Sequence, residues 1–257
     1  MHYEIQKASM SKRISAFLFD SILTGIAIVA IAFLLSTLLG YDSYNEKVQN
    51  TYEAYEKQYG IDSGMTLEEY EAMTEEERQA YEAAVEAANA ALNEDQEAVY
   101  NYTMMANLTL LIATISIFIG ITAVEFVVPM LFGNGQTLGK KIFGIALMRR
   151  DGVKVNGMLM FTRAILGKFT IETMLPVFVV ILLFLGRVGI EGLIIVASTI
   201  LVQLILAAVT RNKTLIHDLL AGTVAVDMAS QKIFETTDDL IAYQKKVAAE
   251  KAARQTY

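Results

Sequence analysis

Four runs of apolar residues constrain this chain more than any other feature. Residues 14–39 are broken only by Asp20, residues 104–132 contain Glu125 and Pro129, residues 169–186 contain Glu172 and Pro176, and residues 193–210 carry little that is polar beyond Gln203. A helix needs about 20 apolar residues to cross roughly 30 Å of hydrocarbon. A single run of this kind also fits the core of a soluble domain, but four in 257 residues predict four transmembrane helices. Between the last two, residues 186–192 hold three glycines and two charges and read as a tight turn. The first run is longer than the core of a cleaved signal, and no small-x-small cleavage site follows it, so it is expected to remain as an anchor.

Charge is distributed unevenly along the chain. Residues 40–103 hold 16 of the 28 acidic residues against Lys47, Lys57 and Arg78, a net −13 in a chain of −7, so the remainder carries +6. That basic excess flanks hydrophobic runs instead of lining a polar face, which excludes a nucleic-acid binder. An apolar content of 54 % argues against a disordered chain or a soluble enzyme. There is no Cys, hence no disulfide, thiolate metal site or cysteine nucleophile, and His2 and His217 are too few for a histidine-rich metal centre. No Ser-His-Asp set is recognisable either, so neither enzymatic activity nor a metal or cofactor is expected. Lys7, Lys12 and Arg13 precede the first run, seven Lys and Arg against Asp151 fill residues 140–168, and Arg211 and Lys213 follow the fourth. The positive-inside rule then puts both termini in the cytoplasm and residues 40–103 outside.

Four sections follow from this: residues 1–39 as an inner arm and first span, 40–103 as an acidic extracytoplasmic insertion, 104–226 as three further spans with an inner loop at 133–168 and a closing element at 211–226, and 227–257 as a charged tail. In the insertion, Thr66 with Glu69 and Thr74 with Glu77 fit the capping box. No Pro or Gly interrupts the Ala- and Glu-rich sequence from Thr74 to Met104, which predicts one long helix running into the second span. Nine of the 12 tyrosines lie in this section, suited to anchoring and packing of a helical hairpin or to a partner surface. In the inner loop, Asp151-Gly152 between Ile145, Leu147 and Val153, Val155 reads as a hairpin turn. The nearby glycines do not form a phosphate-binding loop: Asn134 stands where that pattern needs Gly, and Lys141 where it needs Ser or Thr. Residues 215–222 are expected as a helix on the inner face, and 235–257 as an exposed helix.

Asp20, Glu125 and Glu172 are acids inside predicted spans, where each charge costs about 2.5–3.5 kcal/mol at mid-helix. The topology puts all three in the cytoplasmic half. A desolvated carboxylate gains from a bound cation or proton, so the three are candidates for an ion or proton site. The competing reading is structural pairing, above all of Asp20 with Arg13 two turns earlier; Arg163, Lys168 and Arg211 are other partners. The only two prolines follow two of these acids by four residues, Glu125 to Pro129 and Glu172 to Pro176. In an α-helix each would free the carbonyl of the acid itself, joining a carboxylate to an unpaired backbone oxygen; the alternative is an ordinary kink. His217 is either a proton relay or a structural partner of Asp218.

Three blocks, KRISAFLFD at 12–20, GQTLGKKIFGIALMRRDG at 135–152 and RNKTLIHDLLAGTVAV at 211–226, together resemble the RDD family of bacterial membrane proteins. The resemblance covers residues 1–39 and 104–226. It marks Arg13, Asp20, Gly135, Gln136, Thr137, Gly139, Lys140, Arg163, His217 and Asp218 as family motif positions. It implies the bacterial plasma membrane and transport, including exchange of monovalent cations for protons. The 40–103 section is longer than the loop the family would place there.

The sequence thus describes an all-α, four-span integral membrane protein. Its expected function is proton-coupled movement of a monovalent cation, with a homo-oligomer required because four helices barely enclose a path. The alternative is a non-transporting protein that presents its acidic insertion to an extracytoplasmic partner. The absence of native cysteine allows a clean test of topology. In intact cells Glu77→Cys should react with an impermeant thiol reagent and Lys141→Cys should not; reversed labelling overturns the orientation.

Overall fold

The computed structural model describes residues 5–184 and 188–255. Among the described residues four helices are long and apolar enough to cross a membrane: Met10–Leu39, Gln96–Phe132, Gly157–Leu183 and Ile190–Val209. The third starts a dozen residues before its apolar run, and the inner loop ends at Asn156. The Asn156 side chain accepts the Leu159 N–H at 2.9 Å and so caps a helix that begins at Gly157. Arg163 and Lys168, read from sequence as loop residues, therefore lie within the span. Part of the turn expected at 186–192 falls outside the described residues. After it, Glu191 accepts the Gly189 N–H at 2.8 Å.

The chain divides into two compact units, Ala30–Ser116 and the described residues of Met1–Val29 with Ile117–Tyr257. Helices α1 (Met10–Leu39) and α5 (Gln96–Thr122) contribute to both. Between them come α2 (Tyr41–Tyr59), α3 (Leu67–Ala72) and α4 (Glu75–Glu94). Both capping boxes form: Glu69 and Glu77 each accept the N–H of their own N-cap threonine at 2.8 Å. The continuous helix expected from Thr74 is corrected at Asp95. That residue is extended (ψ 103°), and its carboxylate accepts the N–H groups of Glu97 and Ala98 at 2.9 and 3.1 Å. An Asp that captures two free amides ends one helix and starts the next without needing Pro or Gly. The tyrosines pack largely on one another, with Tyr55 stacked on Tyr59 and Tyr70 edge-on to Tyr81.

In the other unit, α5 passes into a π-helical turn, Ala123–Val127, and then α6 (Val128–Phe132). α7 (Leu138–Ile142) leads to β1 (Ile145–Arg149). α8 (Gly157–Phe161) runs into a π-helical stretch, Thr162–Met174, and α9 (Leu175–Phe184). After α10 (Ile190–Val209) come α11 (Ile216–Leu220), β2 (Thr223–Asp227) and α12 (Thr237–Gln255). The two strands correct the all-α expectation. β1 and β2 pair antiparallel, from Ile145 opposite Asp227 to Arg149 opposite Thr223. Asp151-Gly152 does close a tight turn: Gly152 donates to the Arg149 carbonyl at 3.0 Å, with φ +96° at Gly152. Its second arm is only a bridge between Met148 and Lys154, however, and the long partner of β1 lies some 75 residues downstream.

This small sheet is buried on both faces. Ile145, Leu147 and Ala225 pack with Ala16 of α1 and Met160 of α8, while Ala146, Met148, Val224 and Val226 pack with Ile5 and Ile233. Gly135 (φ +62°) turns the chain into this core, and the Gln136 side chain donates to the Ile145 carbonyl at 2.7 Å. Two further glycines let elements touch. A Cβ on Gly167 would meet the His217 Cβ at 2.5 Å, and one on Gly139 would meet the Ala16 carbonyl at 2.5 Å and the Asp20 carboxylate at 2.9 Å. Gly139→Ala should therefore push α7 off α1 and lower stability by about 1–3 kcal/mol. A thermal melt in detergent checks this, with Gly25→Ala, which meets nothing within 4 Å, as the control.

Candidate functional site

Asp20, Glu125, Lys140, Arg163, His217 and Asp218 are all buried, and they converge. Thr137 and Gly139, at the start of α7, hold Asp20: the Thr137 hydroxyl donates to its Oδ2 and the Gly139 N–H to its Oδ1 at 2.8 Å. Thr137 also caps α7 by accepting the Lys140 N–H, and it accepts the Lys140 ammonium at 3.1 Å. That ammonium lies 3.7 Å from Asp20 Oδ2 and 3.6 Å from Glu125 Oε2. Glu125 Oε1 accepts the Lys168 ammonium, and Arg163 NH1 is 3.6 Å from Glu125 Oε2. The far side of Arg163 donates from Nε to Asp218 Oδ1 at 2.9 Å, where Thr223 of β2 also donates at 3.0 Å. Three carboxylates and three cations thus form one chain of contacts. Glu172 stands beside it, accepting the His217 N–H at 3.0 Å and meeting His217 Nδ1 at 2.8 Å.

The π-helical stretch makes this convergence possible. Arg163, Lys168 and Glu172 are spaced by five and then four residues. At 100° per residue an α-helix would put Arg163 and Glu172 on opposite faces. The wider i→i−5 register, seen in the Leu175 N–H donating to the Thr170 carbonyl, gathers all three toward Glu125 and α11. The same register corrects the Glu-x3-Pro reading. Before Pro129 the Val128 N–H bonds to the Ala123 carbonyl, again i→i−5. In that register the N–H absent from Pro129 or Pro176 is the partner of Val124 or Ile171, so the gap falls one residue before each acid.

The expected Arg13–Asp20 pair does not form. Arg13 donates instead to the carbonyls of Lys213 (2.9 Å), Asn212 (3.3 Å) and Ala225 (2.6 Å), fastening α1 to the segment after α10 and to β2. Two turns of helix separate Arg13 from Asp20, and carbonyls lie nearer. His217 contacts Glu172 more closely than Asp218, whose Oδ2 is 3.6 Å from Nε2. Sequence reasoning did not single out Thr223, which sits one residue after the closing glycine in a five-residue strand.

Burial penalises the Asp218 carboxylate, but Arg163, His217 and Thr223 outweigh it and hold Asp218 well below the usual range. Burial pushes His217 down, and Arg163 adds to this against Asp218 and Glu172. Burial also draws the Lys140 ammonium down to about 8, against the pull of Glu125 and Asp20.

A family model described as the RDD family matches residues 7–222 of this sequence. The chain belongs to the RDD family. With its four apolar helices, this RDD-family member is a multi-pass integral membrane protein. It is 32 % identical over 110 residues to an uncharacterized protein, YckC, of Bacillus subtilis strain 168; the match takes in 42 % of this chain and 58 % of that relative. No solved structure matches. In this RDD-family structure the motif positions are neighbours: Asp20 meets Thr137, Gly139 and Lys140, and Arg163 meets Asp218.

The Lys140 environment has a measurable consequence. Between its folded value of about 8 and its ordinary 10.5, the unfolded chain retains a proton the folded chain has released. Stability therefore rises with pH across that window. Lys140→Arg, which stays protonated, should lose the rise; thermal melts from about pH 7.5 to 10.5 check both.

Proposed function

We propose that this protein exchanges a monovalent cation for a proton across the bacterial plasma membrane, with both termini in the cytoplasm. One observation carries the reading. A cavity of about 520 Å³ is lined by Glu125, Glu172 and Lys168 together with Ser21, Thr24 and Gln203. Carboxylate, hydroxyl and amide oxygens are the ligands that hard cations prefer. Lys168 is a tethered cation already seated on Glu125, and an incoming ion would take its place there. Glu172, held by His217, would pass the proton in the other direction. Four helices enclose little volume, so copies of the chain would assemble to complete the path.

A second reading rests on the net −13 of residues 40–103, which suits a basic extracytoplasmic partner. Flux separates the two. The purified chain in proteoliposomes under an imposed pH gradient should dissipate that gradient when sodium or potassium is added, and Glu172→Gln should reduce the rate to that of empty vesicles. Wild type no faster than empty vesicles with either ion refutes exchange and leaves the partner reading.

A further inference from the structure

We propose that the chain holds a site for the phosphate of an anionic phospholipid between the first turns of α1 and the last turns of α10. A cavity of about 400 Å³ lies there, separate in its lining from the α1–π-stretch cavity except at Phe17, Glu125, Lys168 and Leu215. Its walls include Ile14, Phe17, Leu204 and Ala207, apolar side chains on two membrane-crossing helices that suit an acyl chain. Its polar lining carries five cations, Arg13, Lys140, Arg163, Lys168 and Lys213, against the three acids Asp20, Glu125 and Asp218. Two positive charges are in excess.

Three details place the anion. Arg163, only 3 % exposed, lines the cavity with an NH1 that has no hydrogen-bond partner, and Arg13 Nε is also buried without one. Glu125 Oε2 is unbonded too and faces Arg163 and Lys140, so repulsion sets the anion toward the Arg13–Lys213 end. Lys213 itself has φ +49°, the one non-glycine residue with positive φ among the described residues. Its carbonyl is gripped by Arg13, which holds this strained backbone at the cavity wall. Basic pockets between membrane helices near the polar boundary are the setting in which headgroup phosphates bind. The same donors would suit a free phosphate, and the experiment must tell the sources apart.

The test is the thermal midpoint of the purified full chain in detergent, titrated with phosphatidylglycerol, phosphatidylcholine or inorganic phosphate. Phosphatidylglycerol should raise the midpoint more than phosphatidylcholine, and inorganic phosphate should not reproduce the rise. Lys213→Asn removes the charge while keeping a residue that tolerates positive φ, and should weaken phosphatidylglycerol binding about fivefold. Lys213→Arg should retain binding, and Lys57→Asn in the other unit should leave it unchanged. Equal effects of the two lipids, full binding by Lys213→Asn, or an equal rise with inorganic phosphate each overturn the lipid site.

Discussion

A guanidinium buried between two carboxylates organises this membrane domain. Arg163 reaches Asp218 with one nitrogen and faces Glu125 with another, while Lys140 and Lys168 complete the compensation of Glu125. An uncompensated charge within hydrocarbon is costly, and breaking a buried pair costs about 3–5 kcal/mol because the survivor is stranded. Much of the surrounding architecture serves to bring the partners to Arg163. β2 carries Thr223 to Asp218, α7 carries Lys140 to Glu125, and Gly167 lets α11 lie against the helix that bears the guanidinium.

The two-stranded sheet is the device that joins distant sequence. β1 lies within the central block and β2 ends the closing one, and their pairing fixes α7 and α11 near each other. Arg13 then fastens α1 to the same edge through three backbone carbonyls, one of them on β2. Asp20, Lys140 and Asp218 are thereby delivered from three separate regions to one buried cluster. Each charge in that cluster has a neighbour of opposite sign, and its members also line the two cavities.

Much of this was legible in the sequence. Length and hydropathy identify four spans, because the hydrocarbon thickness is a fixed physical ruler. Local hydroxyl–carboxylate spacing identifies both capping boxes. The start of the third span was not legible, since Arg163 and Lys168 look like loop residues until their partners are known. Asp95 was missed because capping, not Pro or Gly, ends α4. The Arg13–Asp20 pairing failed because backbone carbonyls offer an arginine nearer acceptors than a carboxylate two turns away. The pairing of β1 with β2 depends on contacts some 75 residues apart, beyond the reach of any local pattern.

The π-helical stretch has a consequence for how the third span can vary. A helix that must aim Arg163, Lys168 and Glu172 at fixed targets has a phase, and phase advances in whole residues. One residue gained or lost between Arg163 and Glu172 would rotate every later side chain of the span by roughly a quarter of a turn. Conservative exchanges of apolar residues there leave the aim intact, whereas a single-codon insertion or deletion would not. In this span, chemistry fixes the count of residues more tightly than it fixes most of their identities.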